Sequence, residues 1–351
     1  MRIGVVCNKF SKSGGMETFA INLVEAIVQS GNTPVIFCKK VDISLPVYKH
    51  CEIHILPCHW LPNKLQLTIF DRLVRIARKR HPVDFMYGCC LSSSADIPFC
   101  GGTHIGFLKA MKKKPTWSDR TTIELEREQY TNCKMIVAHS KLMKNELINY
   151  YGVAENRIKV VYPFFQCPIR SEQDVSALRK KYNLPEDKVL FLFPSSSHKR
   201  KGFGLLQEVF SKSDRNICLI VAGRPIDGSY PNIQYVGYAK NIDELYHACD
   251  YSILASAYEP LGLVGPESVL NGTPTILSDA CGCNEVINEA ARRTFAAGNT
   301  ESLATVINDV IDHPIRLSQP YSQYIESTLS KSWKEQVSIL FRATISNSRS
   351  F

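Results

Sequence analysis

The sequence contains no long apolar run. No segment approaches the roughly 20 consecutive apolar residues that a membrane-spanning helix requires, which argues against an integral membrane protein. Met1, Arg2 and Ile3 lead directly into a strand pattern, without the charged and apolar regions of a secretory signal. We therefore expect a cytoplasmic protein.

The sequence also lacks the CxxC spacing of zinc-binding domains, although it has 13 cysteines. Cys89 and Cys90 are adjacent, and a single residue separates Cys281 from Cys283. Many of the other cysteines, such as Cys7, lie in apolar, strand-like stretches where a thiol packs as a small apolar side chain. We predict reduced thiols in the core and no metal site.

Charge is unevenly divided along the chain. Residues 1–165 contain 23 Lys and Arg against 13 Asp and Glu, whereas residues 166–351 contain 19 against 20. The positive field of the first part implies an anionic partner, which can be a membrane surface, a phosphorylated glycan or nucleic acid. The sequence has no basic strand motif with interleaved aromatic residues, so we expect no nucleic-acid partner.

One segment, residues 105–117, is both basic and apolar. It reads Ile-Gly-Phe-Leu-Lys-Ala-Met-Lys-Lys-Lys-Pro-Thr-Trp. This composition is typical of a peptide that lies on an anionic lipid surface. The alternatives are a surface loop and the edge of a core-facing helix. We predict that the segment docks the protein on an anionic membrane surface.

Strand and helix patterns alternate from the first residues. Strand Arg2–Cys7, helix Glu17–Gln29 and strand Pro34–Cys38 form a βαβ start, and the alternation resumes after a stretch rich in proline and aromatic residues, 162–168. The length suits two domains of ordinary size. We predict an α/β protein with two open, Rossmann-like sheets.

The predicted first domain covers residues 1–164, and it includes the basic segment 105–117. The second domain covers residues 165–325. The remaining residues, 326–351, belong to a C-terminal helix whose pattern begins near Tyr321 and ends near Arg342.

Two glutamates stand eight residues apart in Glu259-Pro-Leu-Gly-Leu-Val-Gly-Pro-Glu267. A buried strand is predicted before them, and Pro266 suits the first turn of a helix that ends near Asn271. Backbone N–H groups at a helix start attract phosphate, and carboxylates accept hydrogen bonds from sugar hydroxyls. An acidic loop before an ordinary helix is the alternative. The pattern indicates a sugar-nucleotide site, with Glu267 on a ribose and Glu259 on a hexose.

This segment resembles the E-x7-E signature of glycosyltransferase family 4, whose retaining enzymes have the GT-B fold of two Rossmann-like domains facing across a central cleft. Further segments resemble family motifs in the family's order. They are Arg2–Cys7 with Ser13–Glu17, Gly101–His104, Lys199–Gly202, Ile233–Tyr238, Glu244–Asp250, Gly272–Ser278 and Gly282–Glu285.

Two positions depart from the family pattern. Ser196 stands where many members have an arginine, and Leu261 where an aromatic residue is common. The Arg200-Lys201-Gly202 run is more similar to the lipopolysaccharide-core branch of bacteria. The resemblance therefore implies lipopolysaccharide biosynthesis as the setting.

The resemblance implies a retaining, metal-independent hexosyltransferase that needs no cofactor. Its expected donor is a nucleoside diphosphate sugar, a UDP-sugar above all, and its expected acceptor is a hydroxyl of a glycan or lipid-linked glycan. We expect it to lie on the inner face of the plasma membrane as a peripheral protein. The alternatives are a nucleotide-sugar epimerase or hydrolase with the same fold, and a non-catalytic protein that binds an anionic polymer.

The resemblance also implies the site residues. Those expected to act in catalysis are His104, Arg200, Lys201 and Glu259. Those expected to bind the donor or the other substrate are Gly14, Gly15, Glu17, Tyr238, Leu261, Gly262, Leu263, Val264 and Glu267.

Overall fold

The computed structural model describes residues 1–12, 15–163, 174–326 and 340. They belong to two units, each built on one sheet of parallel strands. The first unit contains the described residues up to 163 together with Leu340, and the second contains residues 174–326.

The first unit alternates strands and helices. Strands β1 to β7 are Arg2–Phe10, Thr33–Val41, Glu52–Ile55, Phe85–Gly88, Ile97–Cys100, Ile136–Ala138 and Ile158–Val160. Helices α1 to α5 are Gly15–Gln29, Asn63–Arg80, His104–Ala110, Trp117–Asn132 and Lys141–Tyr151. The strand order is β3-β2-β1-β4-β5-β6-β7, so the direction of chain progression reverses between β1 and β4.

The two-residue period of β1 divides the apolar side chains of the first unit between two layers. Val5 belongs to the cluster that includes Leu23 of α1, whereas Val6 belongs to the cluster that includes Phe70 of α2. Both faces of this sheet are therefore covered by helices, which explains why β1 reads as an almost continuous apolar run.

The second unit repeats the plan. Strands β8 to β13 are Val189–Ser195, Ile217–Gly223, Ile233–Gly237, Tyr251–Leu254, Thr275–Ser278 and Arg292–Phe295. Helices α6 to α11 are Val175–Lys181, His198–Lys201, Phe203–Lys212, Ile242–Ala248, Val264–Leu270 and Thr300–Asp312. The strand order is β10-β9-β8-β11-β12-β13, which reverses between β8 and β11.

Strand β8 supplies both layers of the second core. Phe191 lies in the cluster that contains Phe210 of α8, and Leu192 lies in the cluster that contains Tyr246 of α9. Two sheets of Rossmann type, each buried on both faces, confirm the predicted α/β class.

The predicted C-terminal helix does not begin at Tyr321. Tyr321–Tyr324 form a single 3-10 turn, and Ile325 makes an antiparallel bridge with Ile287. The pairing of Ile325 with Ile287 replaces a helix at this point, so the prediction of a helix from Tyr321 was wrong. Leu340 is helical and buried in the first core, while residues 327–339 and 341–351 lie outside the described residues. Part of the predicted linker, from residue 164 on, also lies outside them.

Within the described ranges, every helix is too short or too polar to cross a bilayer. The cysteines of these ranges are free thiols and most are buried, as the sequence predicted. Burial raises the pKa of several of them, including that of Cys38 to about 11, so they are protonated at neutral pH.

Candidate active site

A basic turn follows β8 at the point where the strand order of the second sheet reverses. Helix α7 ends at Gly202, whose φ is 80° and whose added Cβ would lie 1.9 Å from the carbonyl oxygen of Ala255. Only glycine allows this approach. The N–H of Ala257 donates to the carbonyl of Arg200 over 3.0 Å. The turn that carries Arg200 and Lys201 is therefore fixed against the segment after β11.

Arg200 forms an ion pair with Glu259, the first glutamate of the E-x7-E segment. Its Nη1 donates to Glu259 Oε2 over 2.7 Å and to the carbonyl of Tyr258 over 3.0 Å. The two side chains are 28% and 14% exposed. A half-buried pair of this kind holds both groups in one geometry, and removing one partner leaves the other charge poorly solvated.

Lys201 points back toward the strand end. Its Nζ donates to the carbonyl of Pro194 over 2.9 Å. Burial lowers the pKa of Lys201, the positive charge of Arg200 adds to this, and the charges of Glu259 and Glu267 oppose it. Lys201 therefore lies within the electrostatic range of both glutamates.

The loop that joins the two glutamates is tied to the segment after β12. The N–H of Glu259 donates to the carbonyl of Ala280 over 3.2 Å, and the N–H of Gly282 donates to the carbonyl of Glu259 over 2.9 Å. A Cβ on Gly282 would lie 2.1 Å from the carbonyl oxygen of Pro260. Gly262 has a φ of 88°, which lets the backbone turn into α10.

Glu267 lies in the first turn of α10, as the sequence predicted. Burial raises its pKa, and Asp243 raises it further, while Tyr246 and Lys201 oppose this. The hydroxyl of Tyr246 lies 3.4 Å from Glu267 Oε2. A carboxylate held half-desolvated in this way is stabilised by additional hydrogen-bond donors, such as the hydroxyls of a ligand.

The structure thus brings four predicted residues of the second unit to one strand-order reversal: Arg200, Lys201, Glu259 and Glu267. Among the smaller loop residues, Leu261 is buried, Val264 is half-buried and Leu263 is 37% exposed. The missing aromatic ring at Leu261 is replaced by an aliphatic side chain inside the loop. Tyr238 stands apart, because it follows the edge strand β10 and is 71% exposed.

His104 occupies the start of α3 in the first unit. Thr103 caps this helix, and its side chain accepts from the N–H of Gly106. The Nε2 of His104 lies 2.8 Å from Asp119 Oδ1. Hydrogen bonds from Thr116, and then from His104, lower the pKa of Asp119 to about 2. Asp119 therefore carries its charge at any physiological pH and orients the imidazole.

A second carboxylate, Glu126 of α4, holds the backbone of His104. The His104 N–H lies 3.1 and 3.2 Å from the two oxygens of Glu126, and the Tyr151 hydroxyl donates to the same carboxylate. Glu126 is only 6% exposed. Burial raises its pKa to about 7, against the opposing hydrogen bonds from Tyr151 and His104. The sequence analysis did not identify Asp119 or Glu126. The Thr116-x-x-Asp119 spacing, which is typical of a capping box, is a signal for Asp119 as a residue of a helix start, and Glu126 has no such signal.

We expect Glu126→Gln to flatten the pH dependence of stability. The pKa of Glu126 is about 7 in the folded protein and 4.5 for an ordinary glutamate. The protonated carboxyl therefore adds its full contribution to the free energy of unfolding below pH 4.5, and this contribution is lost as the pH rises through 7. This difference in pKa corresponds to about 3 kcal/mol in the free energy of unfolding. The free energy of unfolding of the wild type, measured with urea, should therefore fall between pH 5 and pH 8, and that of the variant should not.

Glu124→Gln is the matched control, because Glu124 is exposed on the same helix. It should keep the wild-type pH dependence. An equal loss of stability between pH 5 and pH 8 in the wild type and in Glu126→Gln would contradict the raised pKa assigned to Glu126.

A cavity of about 450 Å³ opens where the first sheet reverses its strand order. Glu17 lines it, as do Cys7, Cys89 and Cys90. Gly15 is the first residue of α1, and Gly14 lies outside the described residues.

The basic segment 105–117 contains all of α3 but its first residue, then a short turn and the start of α4 at Trp117. Lys109 lies over the ring of Tyr150 at 3.8 Å, and Lys113 over the ring of Phe107 at 5.1 Å. Leu108 is buried, whereas Trp117 is 64% exposed. Part of the apolar content of the segment is thus used inside the protein.

Comparison with known proteins places both units. Residues 13–167 match the family model described as Glycosyltransferase Family 4, and residues 174–328 match the model described as Glycosyl transferases group 1. A protein of Burkholderia thailandensis named "Probable transglycosylase" is 40% identical over 318 residues, which cover 89% of this chain and 86% of the relative.

Two solved structures share the fold over nearly the whole chain. WaaG, a glycosyltransferase involved in lipopolysaccharide biosynthesis, has a TM-score of 0.76 with 18% identity, covering 95% of this chain and 94% of WaaG. HepE from Anabaena, in complex with UDP-glucose, has a TM-score of 0.71 with 18% identity, covering 98% of this chain and 100% of HepE.

Proposed function

We propose that this chain, which belongs to glycosyltransferase family 4 and has the GT-B fold, transfers a hexose-type sugar from a nucleoside diphosphate sugar to a hydroxyl of a glycan or glycolipid. The observation that carries the proposal is the assembly of Arg200, Lys201, Glu259 and Glu267 at the strand-order reversal of the second sheet. Ligands of open α/β sheets bind beyond the carboxyl ends of strands at such reversals.

The donor is proposed to be a UDP-sugar. In this proposal Glu267 accepts hydrogen bonds from the ribose, and the backbone N–H groups of the Leu261–Val264 loop face the phosphates. Arg200 and Lys201 neutralise the diphosphate, and Glu259 meets the hexose. The structure of HepE with UDP-glucose supports this choice of donor, because the two proteins share a fold.

The chemistry follows from where charge develops. As the glycosidic bond to the leaving diphosphate breaks, negative charge grows on the phosphate oxygens, and Arg200 and Lys201 stabilise that charge without a metal ion. We propose retention at the anomeric carbon, with the diphosphate taking the acceptor proton. Glu259, held by Arg200, positions the sugar and tunes the local charge. In the first unit, His104, whose imidazole Asp119 orients, is proposed to act in catalysis.

The acceptor is proposed to be lipopolysaccharide core or a related lipid-linked glycan. WaaG, which shares the fold, acts in lipopolysaccharide biosynthesis, and the basic first unit suits a phosphorylated glycan. Gly15 and Glu17, at the start of α1, are proposed to contact the donor or the acceptor.

A screen of nucleotide sugars tests the function. We expect one UDP-sugar to release UDP rapidly only when a lipid-linked glycan is present, and the new linkage to keep the anomeric configuration of the donor. UDP release without acceptor would favour a hydrolase, and conversion of the sugar without UDP release would favour an epimerase. Transfer from a glycoside in place of a nucleotide sugar would overturn the donor assignment.

We also propose that the protein works as a peripheral protein on the inner face of the plasma membrane. The support is the basic segment 105–117 with exposed Trp117, since lysine side chains near an anionic surface contribute about 1 kcal/mol each. Lys109 and Lys113 are engaged with rings, so the attraction depends on Lys112 and Lys114 more than on the other two.

Changing Lys109, Lys112, Lys113 and Lys114 to Gln should abolish co-sedimentation with anionic vesicles and lower activity on a lipid-linked acceptor. Activity on a short soluble acceptor should be nearly unchanged. Added salt should weaken the binding of the wild type, because the physiological screening length is about 8 Å.

A charge-matched control removes four exposed lysines elsewhere in the first unit: Lys9, Lys40, Lys49 and Lys134. Vesicle binding should survive in this control. If it survives equally in the segment variant, or if neutral vesicles bind as well, the docking role is wrong.

A further inference from the structure

Three side chains of metal-ligand type meet at the amino-terminal end of the first sheet. Glu52 and His54 are two residues apart on the edge strand β3, and therefore project from the same face of the strand. His81 follows the last residue of α2, and its N–H donates to the carbonyl of Ala77 over 2.8 Å. The candidate glycosyltransferase residues follow the carboxyl ends of strands, so this cluster is separate from them.

The ligand atoms converge on one carboxylate oxygen. The Nε2 of His54 lies 2.9 Å and the Nδ1 of His81 lies 3.6 Å from Oε1 of Glu52. The three atoms all lie within 4.8 Å of one another. The second distance is longer than a hydrogen bond, so the carboxylate satisfies His54 but not His81.

The distances between Oε1 of Glu52 and the two imidazole nitrogens fit a small divalent cation. A tetrahedral zinc ion with bonds of about 2.0 to 2.2 Å holds its ligand atoms about 3.4 Å apart, a value between the two distances found here. Two imidazoles and one carboxylate are a ligand set that zinc-type metals accept, whereas calcium and magnesium prefer oxygen ligands alone.

The groups around the cluster orient it. The Nη2 of Arg2 lies 2.8 Å from the other oxygen of Glu52, so Oε1 alone is left to face the histidines. The ring of His54 stacks on Phe37 with centroids 5.2 Å apart, and the ring of His81 lies tilted by 32° against that of His54 with centroids 3.7 Å apart. Two imidazoles bound to one tetrahedral ion have centroids about 5 Å apart, so the exposed ring of His81 has to turn away from His54 when the ion binds. The contact of Arg2 with the ligating carboxylate is of the kind that orients carboxylate ligands in metal sites.

We propose that Glu52, His54 and His81 bind a divalent cation of the zinc class, with water completing a four-coordinate site. The site joins the edge strand β3 to the end of α2, two elements that come from separate stretches of the chain. It does not depend on the glycosyl-transfer proposal, and its role is to hold the sheet edge. The prediction of no metal site rested on cysteine spacing, which cannot detect ligands that come together only on folding.

Zinc binding to the full-length protein tests the proposal. After removal of metal with a chelator, we expect isothermal titration with Zn²⁺ at pH 7.5 to show one site, and Zn²⁺ to raise the midpoint of thermal unfolding. His81→Ala should weaken the affinity at least tenfold, and His54→Ala with His81→Ala should abolish both effects. His59→Ala, which removes an exposed histidine outside the cluster, should leave both unchanged.

Cobalt(II) provides a second readout, because the protein has many thiols. Co²⁺ bound by imidazole and carboxylate lacks the intense thiolate charge-transfer band. The proposal is overturned if the double variant binds Zn²⁺ as tightly as the wild type, if the wild type does not bind it, or if the cobalt spectrum shows thiolate ligands. His81 is 41% exposed, so His81→Ala should fold, and its unfolding midpoint without metal checks this.

Discussion

Replacing Arg200 and Lys201 together with alanine should lower kcat by about a thousandfold or more, while the Kd for UDP rises much less. In the proposed mechanism the diphosphate gains charge as the sugar leaves, so the two cations stabilise the transition state more than the bound substrate. Arg200 is held by Glu259 and the carbonyl of Tyr258, and Lys201 by the carbonyl of Pro194.

Steady-state kinetics with the donor found in the screen, together with calorimetry for UDP, separate the two quantities. Lys199→Ala is the matched control, because Lys199 belongs to the same short helix but is exposed. It should retain nearly full activity. Equal losses in kcat and in UDP affinity for the double variant would show that the two cations only anchor the diphosphate.

The alternation of β1, α1 and β2 could be predicted because both faces of the first sheet are covered, which makes β1 and β2 strongly apolar. The edge strand β3 could not be predicted, because its four residues are Glu-Ile-His-Ile and none of them is fully buried, so they form no apolar run. Strand β5 is buried, but it could not be predicted for a different reason, because Pro98 lies within it and proline argues against a strand. Short strands of this kind are specified by pairing with their neighbours, which a local pattern does not contain.

The candidate site shows a similar division. The Arg200 turn and the E-x7-E loop lie in continuous motifs, so their residues could be named before their contacts were known. The Asp119 and Glu126 partners of His104 come from α4, which follows His104 by more than a dozen residues, and no spacing rule links them. In the basic segment, the sequence did not show which side chains face inward: Leu108 packs in the protein, and two lysines lie over its aromatic rings.

The second large effect concerns Glu267. Glu267→Ala should weaken the binding of UDP by one to two orders of magnitude, because the proposed hydrogen bonds from the ribose to this charged group are together worth about 1.5 to 3 kcal/mol. Glu301→Ala is the control, since Glu301 is also in a first helical turn of the second unit but is exposed. It should leave UDP affinity unchanged.

A nucleotide that lacks the hydroxyl makes the test of Glu267 specific. The wild type should bind UDP more tightly than 2′-deoxy-UDP, and Glu267→Ala should bind the two alike, since the partner of the 2′-hydroxyl is gone. Burial raises the pKa of Glu267, so the ribose hydroxyls should also favour its ionised form, and UDP binding should release protons when the pH is near that pKa. Calorimetry in buffers of different ionisation enthalpy measures that release. If the variant still discriminates against 2′-deoxy-UDP, the ribose is held elsewhere, and the role given to the second glutamate of the E-x7-E segment is wrong.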